Sequence, residues 1–427
     1  MGNRAEPVDK TQLDENQSKA VDVHIGVFFE GTGNHKGQAE LGAERRAGNT
    51  QESTKWVTSN NAVSNVAMLH DIYDMGGEEY VDRVYIEGVG VSESGQVRPM
   101  GLMIGMGFQS IPKKVEKAIT KVEITVKDIA FGKLPTESKI NLYIDAFGFS
   151  RGAAAARFFI DQITKRREKI SKNLPYRTTL NNIVINFVGL YDTVSSYGGN
   201  FSNDVQNLKL DSVKDAKKVF QICAADEFRS FYALTNINSA GTKGFELFLP
   251  GCHTDIGGGY LEGKYNVTLK DIGTKNSNAN VCELGFDIES FKRFGWIRND
   301  DKHKINRVIQ PVSEYAPPIE YDNLSFTNDI KKGYYYPYVT LELMKEYACK
   351  QRPTIFTEIK TKNKAPDELS FIKLNAPICT SIKTCRELFY SDYSTLTKDW
   401  LHFSSDGSLN NAPRVINKIL KREIHNG

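Results

Sequence analysis

A five-residue stretch with glycine at each end, residues 148–152, constrains the fold of this chain more than any other feature. The apolar run before it, residues 140–147, predicts a buried β-strand, and the alanine-rich run after it, residues 153–158, predicts a helix. Ser150 would then lie on a sharp strand-to-helix turn, with its hydroxyl exposed beside helix N–H groups. We therefore predict that Ser150 is a nucleophile. The alternative is that the two glycines serve only to pack the strand against the helix.

Apolar runs that alternate with amphipathic stretches indicate the fold class. Strands are predicted at residues 23–29, 81–87, 140–147, 183–191 and 244–249, and helices at residues 65–75, 111–129 and 338–350. Alternation of this kind predicts an α/β fold, an α/β-hydrolase-like, mostly parallel sheet with helices on both faces. We expect a disordered tail (1–20), this core (21–260), and a mixed C-terminal region (261–427) that completes or caps it.

Composition excludes several classes of protein. The 55 basic and 52 acidic residues give a net charge of +3, which does not indicate binding to nucleic acid. The first twenty residues are polar and do not form a signal peptide, so we expect synthesis in the cytoplasm. No metal-ligand pattern is evident, and neither a metal nor another cofactor is expected.

A nucleophilic serine needs a general base and a carboxylate that orients the base. In the predicted fold the order along the chain is serine, acid, histidine, each at the carboxyl end of a strand. Asp192 directly follows the apolar strand 183–191, and His253 follows the strand 244–249. We therefore predict Asp192 as the orienting acid and His253 as the base.

Two alternatives stay open at this stage. His402 is the strongest competitor of His253 among the seven histidines. Asp255 lies two residues beyond His253 and could orient a histidine, although an aspartate before a glycine run more often forms a turn.

The oxyanion of the reaction would need backbone N–H donors. The first expected donor is the N–H of Arg151, the residue after the nucleophile. The second would come from the loop after strand 23–29, where Gly31 and Thr32 are the candidates. This loop could instead hold a phosphate, but no complete nucleotide-binding motif follows it.

Four longer stretches resemble a known family, the first class of type VI secretion lipase effectors. They are Phe28-Phe29-Glu30-Gly31-Thr32-Gly33-Asn34, Gly148-Phe149-Ser150-Arg151-Gly152-Ala153-Ala154, Val188-Gly189-Leu190-Tyr191-Asp192-Thr193-Val194, and Pro250-Gly251-Cys252-His253-Thr254-Asp255-Ile256-Gly257-Gly258-Gly259-Tyr260. Residues 225–229, 341–344 and 402–404 resemble it more weakly. One departure is Glu30, where the family usually has aspartate.

The resemblance implies a Ser150–Asp192–His253 triad that hydrolyses acyl esters of glycerophospholipids at the membrane surface of a target cell. It also implies delivery into the periplasm of that cell by a VgrG-type spike protein, and an immunity protein that blocks the enzyme. Two other functions remain as alternatives: a housekeeping serine esterase acting on a small soluble ester, and an inactive hydrolase fold that only binds a partner.

Overall fold

A computed structural model describes most of the chain. The described residues are 20–40, 62–74, 80–96, 110–135, 137–196, 204–260, 263–271, 291–292, 295–297, 304–310, 319–330, 332–404, 414–416 and 419–427. Ala20 is already the first residue of a strand, and the rest of the predicted disordered tail lies outside the described residues.

A six-stranded, fully parallel sheet lies at the centre of the fold. The first seven strands are β1 (Ala20–Phe29), β2 (Val81–Ile86), β3 (Lys139–Phe149), β4 (Thr179–Tyr191), β5 (Lys218–Ala224), β6 (Leu234–Thr235) and β7 (Gly244–Leu249). All but β6 belong to the sheet, in the order β2-β1-β3-β4-β5-β7. The direction of the strand order reverses between β1 and β3, and such a switch point is where open α/β sheets form their ligand sites.

Helices cover both faces of this sheet. They are α1 (Asn65–Ile72), α2 (Ile111–Gly132), α3 (Arg151–Thr164), α4 (Arg167–Lys172), α5 (His253–Gly257), α6 (Pro337–Cys349), α7 (Ser370–Asn375), α8 (Ile382–Leu388) and α9 (Tyr393–Asp399). Short 3-10 helices span Leu210–Asp215, Asn238–Lys243, Gly333–Tyr335, Thr361–Asn363, Asp367–Leu369 and Ala376–Ile378. Within the described parts of the chain, no helix has both the length and the apolar character needed to cross a membrane.

Alternation of side chains along β1 shows how the two faces are filled. Val27 and Phe29 pack into an apolar cluster with helices α2 and α3. Phe28, between them, belongs to a second cluster that contains residues of α1 and α6. Because successive side chains of a strand point to opposite faces, one strand contributes to both cores. The predicted fold class, a mostly parallel sheet with helices on both faces, is confirmed.

The chain after residue 260 is more regular than its sequence suggests. Strands β8 (Gly263–Asp271), β9 (Lys304–Gln310) and β10 (Ile319–Ile330) form an antiparallel sheet in the order β8-β10-β9. Strands β11 (Val415–Ile416) and β12 (Ile419–Leu420) pair with each other in antiparallel register, and β13 (Ile424–His425) pairs with β6. Helix α6 packs on the central sheet, since Met344 shares an apolar cluster with Phe147 and Phe220. The boundary at residue 260 stays a prediction.

Strand β5 is the one strand of the described central sheet that the apolar pattern of the sequence does not predict. Gln221 interrupts its apolar run and is fully buried in the structure. The Gln221 side chain accepts a hydrogen bond from the Thr193 hydroxyl and donates to Thr235 O at 2.9 Å and to Glu246 Oε1 at 2.7 Å. These bonds satisfy the amide inside the core, so the polar residue does not end the strand.

Asn65 ties helix α1 to the C-terminal region. Its Nδ2 lies 3.1 Å from Ile256 O, 2.9 Å from Pro337 O and 2.7 Å from Thr340 Oγ1. Asn65 is fully buried. The side chain therefore joins three segments that are far apart in the sequence.

Substitution Asn65→Ala is expected to lower the free energy of unfolding by about 2 kcal/mol, because it removes buried hydrogen bonds without replacement. Denaturant unfolding monitored by circular dichroism measures this change. Asn181→Ala is the matched control, since Asn181 is exposed and, among the described residues, its side chain donates one hydrogen bond, to Asn141 Oδ1. A loss for Asn65→Ala no larger than that of the control would contradict the expectation.

Candidate active site

Ser150 lies on the turn between β3 and α3, as predicted. Its backbone has φ +60° and ψ −130°, a region that residues with a side chain rarely occupy. Its N–H donates to Tyr191 O at 3.0 Å, and its carbonyl oxygen accepts from Val194 N–H at 3.3 Å. These bonds hold the strained turn against the end of β4, next to Asp192.

The two glycines that flank Ser150 are required by close backbone contacts. A Cβ on Gly148 would lie 2.5 Å from Gly152 O, and a Cβ on Gly152 would lie 2.3 Å from Glu30 O. Real Cβ atoms do not approach backbone oxygens so closely. Glycine at residue 152 therefore allows the start of α3 to touch the end of β1.

Asp192 lies directly after β4 and is fully buried. Its Oδ1 accepts the Ala224 N–H at 2.8 Å, and its Oδ2 lies 2.5 Å from His253 Nδ1. The Arg422 guanidinium donates to Oδ1 at 2.6 Å and to Oδ2 at 2.7 Å. Burial alone would raise the pKa of Asp192, but Arg422 and His253 outweigh it and hold the pKa well below its usual range. Asp192 is thus an ionised carboxylate that only accepts hydrogen bonds.

His253 is the first residue of α5 and lies beside the Ser150 turn. Its ring contacts the ring of Phe149, the residue before Ser150, with 4.6 Å between centroids. Burial lowers the pKa of His253 below its ordinary value. Since Asp192 can only accept, we assign the proton of the neutral imidazole to Nδ1, which leaves the Nε2 lone pair free to accept a proton. The structure thus brings the predicted serine, acid and base together at one edge of the sheet.

Asp255 and His402 form a second buried pair instead of replacing the first. Asp255 Oδ1 lies 2.5 Å from His402 Nδ1, and Asp255 Oδ2 accepts the His402 N–H at 3.0 Å. The same Oδ2 accepts the Cys252 N–H at 2.9 Å and so caps the helix that begins at His253. Sequence spacing could not separate the two aspartates, whereas the structure pairs Asp192 with His253 and Asp255 with His402.

The loop after β1 approaches α3 through the Arg151 side chain, whose Nε donates to Thr32 Oγ1 at 2.8 Å. The Gly31 N–H donates to Glu30 Oε1 at 2.9 Å, and the Gly33 N–H donates to Val89 O at 3.0 Å. The Gly31 N–H, one of the predicted oxyanion donors, is therefore already bonded within the protein. Burial lowers the pKa of the Arg151 guanidinium to about 10.

The Glu30 side chain binds the same loop and two neighbouring hydroxyl groups. Its buried carboxylate accepts from the Ser64 hydroxyl at 2.6 Å and from the Tyr85 hydroxyl at 3.1 Å, besides the Gly31 N–H. Burial raises the pKa of Glu30. The longer side chain that departs from the family pattern is therefore fully bonded within the protein.

Two residues at the site, Arg422 and Glu227, were not predicted from the sequence to be site residues. Arg422 binds Asp192 from 230 residues further along the chain, and no spacing or motif indicates this contact. Glu227 accepts the His253 N–H at 3.2 Å, and it lies in residues 225–229, one of the weaker stretches of resemblance. Among the described residues, no group of histidine, cysteine, aspartate and glutamate side chains is arranged to hold a metal ion.

Substitution Gly152→Ala is expected to lower the free energy of unfolding by about 2 kcal/mol, because the clash with the Glu30 backbone outweighs the better helix propensity of alanine. Thermal or denaturant unfolding measures the change. Gly132→Ala is the control, since nothing lies within 4 Å of a Cβ at that last residue of α2. Equal stability of the two variants would refute the close-contact argument.

Known proteins resemble this chain in part of its sequence and in its fold. The family model "T6SS, Phospholipase effector Tle1-like, catalytic domain" matches residues 160–276, a stretch that contains Asp192 and His253 and begins after Ser150. No curated protein matches the chain.

Solved structures share the fold. A structure of the Tle1 effector bound to the VgrG spike of the type VI secretion system has a TM-score of 0.60 and 22% sequence identity, over 91% of this chain and 85% of that one. An uncharacterised protein from Pseudomonas aeruginosa has a TM-score of 0.38 and 16% identity, over 88% of this chain and 50% of that one, too distant to support an argument. The resemblance predicted from the sequence motifs is confirmed: residues 160–276 match the Tle1-like catalytic-domain model, and the chain shares the fold of the Tle1 effector.

Proposed function

We propose that the chain is a serine phospholipase of the A type, which hydrolyses acyl esters of glycerophospholipids through Ser150, Asp192 and His253. The observation that carries the proposal is the 2.5 Å contact between Asp192 Oδ2 and His253 Nδ1 beside the strained Ser150 turn. An ionised acid, a neutral histidine and a serine on a sharp turn are the parts that acyl transfer needs.

The reaction would proceed in two steps. Ser150 Oγ attacks the ester carbonyl carbon while His253 Nε2 takes the hydroxyl proton, and the same nitrogen then protonates the departing lysolipid oxygen. Water attacks the resulting acyl-enzyme with His253 again as the base, which releases the fatty acid and restores the Ser150 hydroxyl. Asp192 keeps Nδ1 protonated throughout and stabilises the imidazolium.

The negative charge on the tetrahedral intermediate would be held by the backbone N–H groups of Arg151 and Thr32. The Arg151 N–H begins helix α3, where the helix dipole also favours negative charge. The Arg151 side chain supports the Thr32 backbone through the Thr32 hydroxyl. We prefer Thr32 to Gly31 as the second donor, because the Gly31 N–H already donates to Glu30.

The comparisons support a lipid substrate and a role in secretion. The matching family model is described as a phospholipase effector, and the solved relative is bound to a VgrG spike. By analogy we propose that a VgrG-type spike protein delivers this chain to the periplasm of a target bacterium, where it attacks the membrane. A toxic enzyme of this kind also requires an immunity protein in the producing cell.

Substitutions Ser150→Ala and His253→Ala are each expected to lower the rate of phospholipid hydrolysis by a factor on the order of 10³ or more. His24→Ala is the control, since His24 lies within β1 rather than at the site edge, and its rate is expected to stay within about twofold. Fatty-acid release from phospholipid vesicles measures the rates.

The same series includes His402→Ala, which tests the second pair. This substitution removes the ring that contacts Asp255 Oδ1 in the protein interior, so it should lower stability while the folded protein still reacts with a fluorophosphonate serine probe. Near-normal hydrolysis by His253→Ala would overturn the assignment of the base. A folded wild-type protein that resists the probe would favour a binding module without activity.

A lipase and an esterase differ in their response to the physical state of the substrate. We expect a higher rate on a phospholipid above its critical micelle concentration than on the same short-chain phospholipid as a monomer. Rates measured across that concentration test the expectation. Equal turnover of monomer and micelle would favour a housekeeping esterase for a small soluble ester.

A further inference from the structure

Every N–H group of the Arg422 guanidinium has an acceptor at the site. One terminal nitrogen donates to Asp192 Oδ1 at 2.6 Å and to Ala224 O at 2.8 Å, and the other donates to Asp192 Oδ2 at 2.7 Å and to Tyr232 O at 3.1 Å. Nε completes the set with Tyr232 O at 3.4 Å. The side chain is only 1% exposed. The five N–H groups of arginine satisfy these acceptors in one plane, whereas the three N–H groups of lysine could not.

The backbone on the C-terminal side of Arg422 is fixed to the loop that follows β5. Strand β13 pairs with the two-residue strand β6 in parallel register. The Leu234 N–H donates to Glu423 O, and the Asn236 N–H donates to His425 O, each at 2.9 Å. Arg422 therefore contacts Asp192 from a segment that is itself fixed by backbone hydrogen bonds. This arrangement favours a constant contact with Asp192.

The charges around His253 are balanced in pairs. Asp192 is bound by Arg422, and Glu227 is bound by Arg229 through contacts of 2.9 and 2.8 Å. Among the residues that the structure describes, the other titratable groups near the imidazole are Tyr232, whose ring lies edge-on with 5.0 Å between centroids, and Asp255 and Cys252 of the same helix and its cap. Each of the two carboxylates closest to His253 thus has its own arginine.

This pairing changes what Asp192 can do for the base. An unopposed carboxylate beside a histidine stabilises the imidazolium and favours the protonated form. Arg422 offsets that negative charge while leaving the Oδ2 contact to Nδ1 intact. Burial then dominates and keeps the imidazole neutral, in agreement with the lowered pKa of His253.

We propose that Arg422 is a positioning residue of the triad, which locks the Asp192 carboxylate and extends the activity of His253 as a base to lower pH. The inference deepens the proposed function and rests on it for its catalytic meaning. Arg422 touches neither substrate nor reacting atoms, and acts entirely through Asp192.

The first test variant, Arg422→Gln, removes the positive charge and keeps much of the side-chain length. In Arg422→Gln the proton on His253 should be bound more tightly, because a cation near the imidazole is lost. Titration of the His253 ring by NMR should show its pKa rising by about one unit relative to wild type. The acid limb of the pH profile of kcat/KM should move upward by the same amount.

Two further variants separate the effect of the Arg422 charge from the effect of its bidentate contact with Asp192. Arg422→Lys retains the charge, so the acid limb should stay in place while kcat falls because the bidentate contact is lost. Arg414→Gln removes an equal charge from the same part of the chain, where Arg414 pairs with Glu423 at the partly exposed surface, and should leave the titration of His253 unchanged. If Arg422→Gln does not fold, a shifted limb in Arg422→Lys would still overturn the proposal.

The two readouts also separate the inference from the proposed function. A shifted His253 titration in a protein that never hydrolyses phospholipid would uphold the inference about Arg422 and sink the phospholipase. An active enzyme in which the His253 titration and the acid limb are the same in Arg422→Gln and wild type would do the reverse.

Discussion

The site depends on the hydrogen bonds that the buried carboxylate of Asp192 accepts. This carboxylate has no exposure to solvent and carries its charge, so hydrogen bonds must replace the water it loses. The four donors come from three separate places: Ala224 at the end of β5, His253 at the start of α5, and both terminal nitrogens of Arg422. Removing one partner of a buried pair typically costs about 3–5 kcal/mol. The fold must therefore bring all three places together before Asp192 can be buried.

Backbone geometry imposes the second constraint, at Ser150. The strained φ of this residue is compatible with folding only because the surrounding sheet and helix fix it on both sides. Gly152 allows α3 to begin directly against the end of β1, and this contact brings Arg151 and Thr32 within hydrogen-bond distance. The same close packing thus forms the Ser150 turn and holds in place the loop that we propose to bind the oxyanion.

The sequence predicts the residues that lie at the ends of strands, but it does not predict contacts that depend on three-dimensional packing. Strand ends are local features, so Ser150, Asp192 and His253 could each be placed after an apolar run. The choice between Asp192 and Asp255 needs three dimensions, because both have suitable spacing and each pairs with a different histidine. Strand β5 could not be predicted because Gln221 interrupts its apolar run, and the sequence does not show that this amide forms hydrogen bonds inside the core. Arg422 was missed because its contact spans 230 residues and depends on packing alone.

The region after residue 260 contributes more than cover for the sheet. His402 pairs with Asp255, which caps the helix that carries His253, and Arg422 pairs with Asp192. Both aspartates belong to the central α/β part of the chain, and both partners lie beyond residue 400. Residues 21–260 alone would leave each of these buried carboxylates without one of its partners, Arg422 for Asp192 and His402 for Asp255. Each loss typically costs about 3–5 kcal/mol, which is a large part of the stability of a typical domain. We infer that the sheet and the C-terminal region fold as one cooperative unit, and that the site forms only when both are in place.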